Sequence, residues 1–257
     1  MGADRARVIV IANQKGGVGK TTTAHALITG LASKGYKALA VDTDPQGNLT
    51  YTMNADPDAP GVYEIMKGAA ATPGAIQHTA QGDIIVGSLM LSGADMEFTD
   101  TGREYILSEL LEPLRNEYDF IVIDSPPTLG ILTINALTAA QYLIIPLGAD
   151  AYSLQGLAQL NATISKVKKR CNPSLQIAGL LITRHSGRTV LGRELKEVVE
   201  SKAHFIGAQA YDTVIRESVA IREAQVQQIS LYDADPKSNA AADYMAFTTE
   251  FLERSQP

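Results

Sequence analysis

The sequence predicts an α/β fold with a doubly wound, mostly parallel sheet and helices on both faces. Short β-branched runs alternate with helical patterns, and the runs are apolar at consecutive positions. A strand of that kind is buried on both faces, so helices must cover both sides of the sheet. The chain has 257 residues, 45% of them apolar, which is enough for one core, and we expect a single domain over residues 1–257.

Predicted strands and helices alternate along the chain, as such a sheet requires. A helix is predicted to begin at Lys20, directly after the first strand. The stretch 54–82 is rich in Pro, Gly and Ala, which favours a loop with a short helix. Aromatic residues spaced three and four apart predict an amphipathic helix over residues 240–254 that packs on the core. The predicted strands are residues 8–11, 38–41, 84–86, 120–123, 143–145 and 177–182.

Composition and charge exclude some classes of protein. No apolar run approaches the ~20 residues that a membrane-spanning helix needs, so we expect a cytoplasmic protein without membrane contact. A single cysteine, Cys171, excludes an internal disulfide and fits a reducing compartment. The net charge is −6, but residues 151–232 hold eleven Lys or Arg against six acids, a net of +5 that leaves −11 elsewhere. This uneven distribution is compatible with an anionic partner despite the acidic total.

A glycine-rich stretch lies between the first predicted strand and the first predicted helix. Its glycines let successive backbone N–H groups turn toward phosphate oxygens, and the helix N-terminus adds partial positive charge. A simple glycine turn would not need Gly-Lys-Thr at its end. We predict that the lysine binds the β- and γ-phosphates of a nucleotide and that the first threonine binds Mg²⁺. The predicted nucleotide-binding residues are Gly16, Gly17, Val18, Gly19, Lys20, Thr21 and Thr22.

Acidic residues end two predicted strands, at the edge where ligands of such sheets bind. Asp42 and Asp44 follow one strand, and Asp124 ends a wholly apolar one, where an unpaired carboxylate would be costly. We predict that Asp42 and Asp124 support Mg²⁺ through water. Hydrolysis also needs a group that orients water beside the γ-phosphate. A turn or capping role for the Asp44-Pro45 pair is the ordinary alternative.

The glycine-rich stretch resembles the phosphate loop of the deviant Walker A ATPases. Lys15 completes their pattern Lys-Gly-Gly-x-Gly-Lys-Thr. In that superfamily the additional lysine reaches the ATP of a partner subunit, so the resemblance implies a catalytic role for Lys15 beside Lys20 and an ATP-dependent homodimer. A solvated lysine at the mouth of the loop is the alternative for Lys15.

Within that superfamily the chain is similar to the ParA/Soj partition ATPases over residues 8 to 252. The likeness rests on Asp-x-Asp-Pro-Gln-Gly-Asn, Ile-Asp-Ser-Pro-Pro, Leu-Ile-Ile-Pro and the stretch 232–238, Tyr-Asp-Ala-Asp-Pro-Lys-Ser. It implies hydrolysis of ATP through Asp44, binding to DNA without sequence preference on the nucleoid, and a ParB-like centromere-binding partner. The phosphate loop lies within the first twenty residues, so we expect no N-terminal helix-turn-helix domain and no operator binding.

Basic residues of the second half are candidates for DNA contact, because contacts to phosphates give affinity that is independent of sequence and sensitive to salt. The chain departs from many relatives at residues 217–220, where Glu-Ser-Val-Ala replaces Arg-Asn-Val-Arg, and at Gly148, where they carry glutamine. The alternative is solvated helix faces, on which residues such as Lys196 and Glu200 pair. In Soj-like proteins DNA-contacting arginines occur in the regions that here carry Arg184, Arg188, Arg193, Arg216 and Arg222.

Other functions on the same scaffold remain alternatives. A MinD-like ATPase that cycles on membranes would need a basic amphipathic helix at the C-terminus, which the last residues do not provide. An iron–sulfur reductase would need paired cluster cysteines, and an ATP-dependent ligase would need a substrate pocket. A ParA-like ATPase that positions a protein cargo on the nucleoid is equally compatible with the sequence.

Overall fold

The computed structural model describes residues 5–148, 156–186 and 190–255, with the side chains of 190–195 outside the described set. Over these residues the chain forms eight strands that build one sheet. The strands are β1 (Arg7–Ile11), β2 (Ala38–Asp42), β3 (Ile76–Thr79), β4 (Gly82–Ile85), β5 (Phe120–Asp124), β6 (Tyr142–Gly148), β7 (Gln176–His185) and β8 (Ala210–Arg216). Their order is β3-β4-β2-β5-β1-β6-β7-β8, and the described pairs are parallel except β3 with β4.

Helices connect the strands and cover both faces of the sheet. None of the described helices is long and apolar enough to cross a membrane. Short 3₁₀ segments occur at Thr72–Ala75, Leu89–Gly93 and Glu112–Asn116. The α-helices are α1 (Lys20–Ser33), α2 (Asn48–Thr52), α3 (Val62–Met66), α4 (Ala94–Glu97), α5 (Ile106–Leu111), α6 (Ile131–Ala139), α7 (Leu157–Arg170), α8 (Val190–Phe205), α9 (Val219–Gln227), α10 (Leu231–Ala234) and α11 (Asn239–Arg254).

The core consists of two apolar layers, one on each side of the sheet. Successive side chains of a strand point to opposite faces. In β1, Val8 and Val10 join a buried cluster with α5, α6 and α7, whereas Ile9 and Ile11 join a second cluster with α1 and α11. Both layers are built from buried side chains, which confirms the predicted doubly wound architecture.

The predicted elements are present, with two corrections at the edges of the sheet. All six predicted strands form, and α1 and α11 begin and end within one residue of the predicted helices where bounds were given. The stretch 54–82 contains the expected short helix, α3, but it also contains β3, a weakly apolar edge strand in place of loop. β8 was not predicted because it lacks a continuous apolar run: Tyr211 and Ile215 are buried, whereas Asp212 and Arg216 are exposed.

The register of the parallel strands places acidic residues side by side. Asp42, which ends β2, is paired with Asp124, which ends β5, and Ile11 at the end of β1 is paired with the same aspartate. The loop that follows β1 therefore begins at the level of both carboxylates. Because open α/β sheets bind ligands at the carboxyl ends of their strands, the predicted loop and acids surround one site.

Candidate nucleotide-binding site

Glycines allow the loop between β1 and α1 to expose its backbone. Gly17 and Gly19 have φ of 73° and 83°, which residues with a Cβ rarely adopt. A Cβ at Gly16 or Gly17 would meet nothing within 4 Å, so the loop is open on its outer side. Gly19 also precedes α1 without any side-chain cap, which leaves the first N–H groups of that helix for an anion.

Buried polar side chains from neighbouring strands hold this loop in place. Asn13 donates from Nδ2 to the carbonyl of Pro146 in β6 at 2.7 Å, and its Oδ1 accepts from the backbone N–H of Lys15 at 3.0 Å. Thr183 in β7 donates from Oγ1 to the carbonyl of Val18 at 2.8 Å. Neither anchor was predicted from the sequence. Asn13 carried a local signal, because an Asn two residues before a turn position commonly bonds to the backbone there, whereas Thr183 acts from 165 residues away.

The two lysines of the loop occupy different environments. Lys20 is only 7% exposed, and its Nζ donates to the carbonyl of Lys15 at 3.1 Å. Burial lowers the pKa of Lys20, and the carboxylates of Asp124 and Asp44 partly oppose that shift. A buried ammonium group beside backbone N–H groups is a strong site for phosphate oxygens. The side chain of Lys15 is half-buried at the start of the loop.

Asp124 and Thr21 fit a magnesium ion. Thr21 donates from Oγ1 to Oδ2 of Asp124 at 2.6 Å, so a hydroxyl and a carboxylate meet at the start of α1. The other oxygen, Oδ1 of Asp124, is buried and has no hydrogen-bond partner among the described residues. Burial, reinforced by the charge of Asp42, raises the pKa of Asp124 well above its usual range. An oxygen donor set of this kind, with one oxygen still unpaired, suits Mg²⁺ and its water shell.

Asp42 lies beside this pair but is already satisfied by protein donors. Thr50 donates to Oδ2 from its backbone N–H at 2.9 Å and from its hydroxyl at 2.8 Å, and Asp44 donates its N–H to Oδ1 at 3.1 Å. Burial raises the pKa of Asp42 to about 6, although these hydrogen bonds oppose the shift. Any support of Mg²⁺ by Asp42 would share its oxygens with α2, so that role remains a prediction. Thr50 was not predicted as part of the site.

Asp44 forms the turn that the sequence offered as the alternative, and it also faces the nucleotide cavity. Its Oδ1 accepts from the N–H of Gln46 at 3.0 Å, and its carbonyl accepts from the N–H of Gly47 at 3.0 Å. It is 6% exposed. The turn therefore fixes the carboxylate beside the phosphate loop. The two interpretations are compatible, and a catalytic role for Asp44 remains a prediction.

A cavity of about 780 Å³ opens between the phosphate loop and the end of β8 with α9, within the size range of small-molecule sites. Thr21, Thr22 and Asp44 line one side, and Ile215 and Ile221 line the other. Gln225 of α9 donates from Nε2 to the hydroxyl of Thr22 at 3.1 Å, which closes α9 over the start of α1. The cavity combines a phosphate end with an apolar wall, as a nucleotide requires.

The structure brings three of the five predicted DNA-binding arginines together at the rim of this cavity, namely Arg184, Arg216 and Arg222. Arg184 donates to the carbonyl of Gly17 at 3.2 Å and lies 3.6 Å from the carboxylate of Glu217.

Arg216 donates to both oxygens of Asp243, from Nε at 2.9 Å and from Nη2 at 2.6 Å. Arg188 and the side chain of Arg193 lie outside the described residues. The expected pair of Lys196 and Glu200 is present, with a separation of 4.0 Å.

The sequence and the fold are similar to those of known proteins. Residues 6–177 match a family model described as AAA domain. The chain is 40% identical over 250 residues to the sporulation initiation inhibitor protein Soj of Bacillus subtilis, covering 95% of this chain and 97% of the relative. It is 37% identical over 258 residues to the chromosome partitioning protein ParA of Myxococcus xanthus, covering 98% and 89%. Cobyrinic acid a,c-diamide synthase from Mycobacterium smegmatis, solved with bound ATP analog and magnesium, is 33% identical with a TM-score of 0.81 and covers 96% and 95%.

Proposed function

The chain belongs to the Soj/ParA family of partition ATPases, and we propose that it is an ATP-dependent, dimerising switch for the partition of a plasmid or chromosome. It is a P-loop ATPase whose nucleotide is ATP and whose metal ion is Mg²⁺. One observation supports the switch above all others. A single loop carries two lysines, of which Lys20 is buried inside the site and Lys15 stands half-buried five residues earlier.

Within one subunit, the residues around the cavity would have different roles in binding and hydrolysing ATP. The N–H groups of the phosphate loop and the ammonium of Lys20 would bind the phosphates, and Thr21 with Asp124 would hold Mg²⁺. Mg²⁺, when bound with ATP, neutralises part of the charge on the phosphate oxygens. Asp44, fixed by its turn, would orient the attacking water.

Between subunits, Lys15 would supply the link between nucleotide and assembly. A cation that reaches the partner's ATP screens phosphate charge only in the dimer, so dimerisation becomes dependent on ATP. Hydrolysis removes the γ-phosphate that holds the two copies together. The backbone N–H of Lys15 is already fixed by Asn13, which limits where its side chain can reach.

The ATP-bound dimer would bind DNA through the arginines at the cavity rim. Arg184, Arg216 and Arg222 line the nucleotide cavity, and closure of two subunits would place two such sets on one surface. Contacts to phosphates bind any sequence, which fits attachment to the nucleoid in the cytoplasm. A ParB-like centromere-binding protein would accelerate hydrolysis and release the dimer.

Binding to DNA of arbitrary sequence, measured with ATP, ADP and no nucleotide across a salt series, tests this function. We expect binding only with ATP, with log K falling by about 0.9 per phosphate contact for each unit of log salt concentration. Asp44→Ala should stay on DNA because it cannot hydrolyse ATP, whereas the exposed control Asp100→Ala should behave as the parent chain. Equal binding in every nucleotide state would refute the switch.

One solved structure favours a second candidate. The likeness to cobyrinic acid a,c-diamide synthase, at 33% identity, suggests an ATP-dependent synthase that uses the same cavity. Such an enzyme would release phosphate in response to a carboxylic acid substrate, and it would neither bind DNA nor change its ATP turnover when DNA is added. The DNA-binding assay and a phosphate-release assay therefore separate the two functions.

A further inference from the structure

The loop between β5 and α6 links the proposed magnesium ligand to a helix. It spans residues 125–130 and begins directly after Asp124. Pro127, in the middle of this loop, lines the nucleotide cavity. A change in the path of the loop therefore moves the chain beside the carboxylate of Asp124 and beside the nucleotide.

The first residue of the loop is fixed to the centre of the sheet. Ser125 is buried, and its backbone N–H and its hydroxyl both donate to the carbonyl of Ile11, at 3.3 Å and 2.9 Å. Ile11 ends β1, where the phosphate loop begins. Proline fixes φ, so Pro126 and Pro127 stiffen the chain that follows. Because the loop is stiff, a displacement of its far end is transmitted toward Asp124.

The far end of the loop depends on the first turn of α6. Thr133 donates from its hydroxyl to the carbonyl of Thr128 at 2.6 Å, which closes the loop onto that turn. The first N–H groups of a helix have no partner within the helix, and the residue before them commonly accepts from one through its side chain. In α6 that residue is Gly130, which has no side chain to do so.

Asp95, on α4, supplies this cap from another part of the chain. Its Oδ1 accepts from the N–H of Ile131 at 2.7 Å, across 36 residues of sequence. A negative charge at this place also interacts favourably with the helix dipole. The contact depends on glycine, because a Cβ at Gly130 would lie 2.8 Å from Oδ1 of Asp95 and closer still to Oδ2. Ala94 is buried in the same apolar layer as Ile131, so packing holds α4 at this distance.

We propose that Asp95 is a positioning residue for ATP hydrolysis, which fixes the loop 125–130 by capping α6 and thereby sets the position of Asp124 beside the phosphates. Asp95 is not among the described residues that line the nucleotide cavity, so it acts through the loop. Its loss should therefore lower kcat and leave the KM for ATP nearly unchanged. The link to Mg²⁺ rests on the proposed role of Asp124, whereas the cap rests on geometry alone.

Steady-state hydrolysis of ATP by the full chain, across a series of Mg²⁺ concentrations, tests the proposal. Asp95→Ala should lower kcat by about tenfold or more and raise the Mg²⁺ concentration that gives half-maximal turnover, as is typical when a group behind a metal ligand is removed. Asp95→Asn should retain most of the activity, because an amide oxygen accepts the same hydrogen bond.

Asp119→Ala is the matched control. Asp119 is also exposed, and its carboxylate accepts from the backbone N–H of Lys37 at 2.8 Å, but it precedes β5 at the end opposite Asp124. Both alanine variants should show a similar small fall in thermal stability, and only Asp95→Ala should lose turnover.

Gly130→Ala gives an independent second variant. Gly130 has φ of −80° and ψ of −168°, an extended conformation that alanine also adopts. The three atoms nearest to an added Cβ all belong to the carboxyl group of Asp95, so the substitution acts by displacing that group. We expect Gly130→Ala to lower kcat as Asp95→Ala does, and the double variant to show no further loss. This variant carries the test if Asp95→Ala does not fold.

The possible results separate this proposal from the proposed function. Unchanged kcat in Asp95→Ala and Gly130→Ala, an equal loss in Asp119→Ala, additive losses in the double variant, or a raised KM with normal kcat would each overturn it. If Asp124→Ala keeps normal turnover, the magnesium site of the proposed function fails and the role of Asp95 fails with it. If Asp124→Ala is inactive and Asp95→Ala is normal, only the role of Asp95 fails. Binding of DNA in every nucleotide state, together with the expected loss in Asp95→Ala, would refute the switch and support the positioning role.

Discussion

The phosphate loop and the segment that runs from the end of β8 through α9 face the same cavity, but different interactions hold them. Buried side chains of Asn13 and Thr183 fix the loop to the centre of the sheet. The β8–α9 segment carries exposed arginines, and Arg216 is held by an ion pair with Asp243 of α11. Buried polar groups are costly to leave without a hydrogen-bond partner, whereas exposed ion pairs add little to stability. The loop is therefore built for fixed geometry and the rim for exchangeable partners.

The largest effect should follow removal of the buried lysine of the loop. Lys20→Ala is expected to reduce ATP hydrolysis by about 10²-fold to 10³-fold, because it deletes a preorganised cation at the phosphates. Since burial already lowers the pKa of Lys20, its loss should not reduce the free energy of unfolding. Single-turnover hydrolysis and urea unfolding measure the two quantities. The control is Lys237→Ala, an exposed lysine away from the cavity, and a similar loss of hydrolysis there would contradict the assignment.

The buried residue His25 connects α1, which follows the phosphate loop, to the chain after α9. The pH dependence of stability tests this connection. Nε2 of His25, on α1, forms a hydrogen bond of 2.7 Å with Oε1 of Gln81. Nε2 of Gln81 in turn donates to the carbonyl of Gln228, which follows α9, at 3.0 Å. Burial lowers the pKa of His25 from 6.5 to about 4. The folded state therefore favours the neutral ring. Its contribution to the free energy of unfolding is fully present above pH ~6.5 and is lost as the pH falls toward ~4.

The expected loss over this pH window is about 3 kcal/mol of unfolding free energy, from the difference between the two pKa values. Urea unfolding of the parent chain and of His25→Gln, from neutral pH to about pH 4, measures it as the difference between the two chains. Asp42 and Asp124 also have raised pKa values, but they are present in both chains and cancel in the difference. If the unfolding free energies of the two chains depend on pH in the same way, His25 does not cause the loss.

Much of the site could be predicted because phosphate chemistry restricts residue types over a short stretch. The glycines, Lys20 and Thr21 follow a continuous apolar strand, and both signals are local. Thr183 and Gln225 were not predicted because they contact the loop and the start of α1 from elements more than 160 residues away. A threonine near the end of a buried strand has no distinctive local signal. β8 was not predicted because exposed polar residues interrupt its apolar positions. The ion pair of Arg216 was missed with it, because that pair depends on how α11 packs against this edge.

A third test concerns the anchor of the loop. Thr183→Val keeps the shape of the side chain but removes the donor to the buried carbonyl of Val18, and it should cost about 1–3 kcal/mol of unfolding free energy. ATP affinity should also fall, because the loop is no longer fixed. Thr29→Val is the matched control, since its hydroxyl donates to the carbonyl of His25 within its own helix. Thermal unfolding and ATP titration should show the cost only for Thr183, and equal costs would remove the special role of the anchor.

The smallest effect on stability should come from the rim. Arg216→Gln breaks an ion pair in which the arginine is 45% exposed, so the unfolding free energy should change by about 1 kcal/mol or less. If Arg216 contacts DNA, the same change should reduce the salt dependence of ATP-dependent DNA binding by about one phosphate contact. Arg5→Gln, which breaks another exposed pair with Glu112, should share the small stability change and leave DNA binding intact. A loss of stability without any change in DNA binding would instead assign Arg216 to the fold, through its ion pair with Asp243.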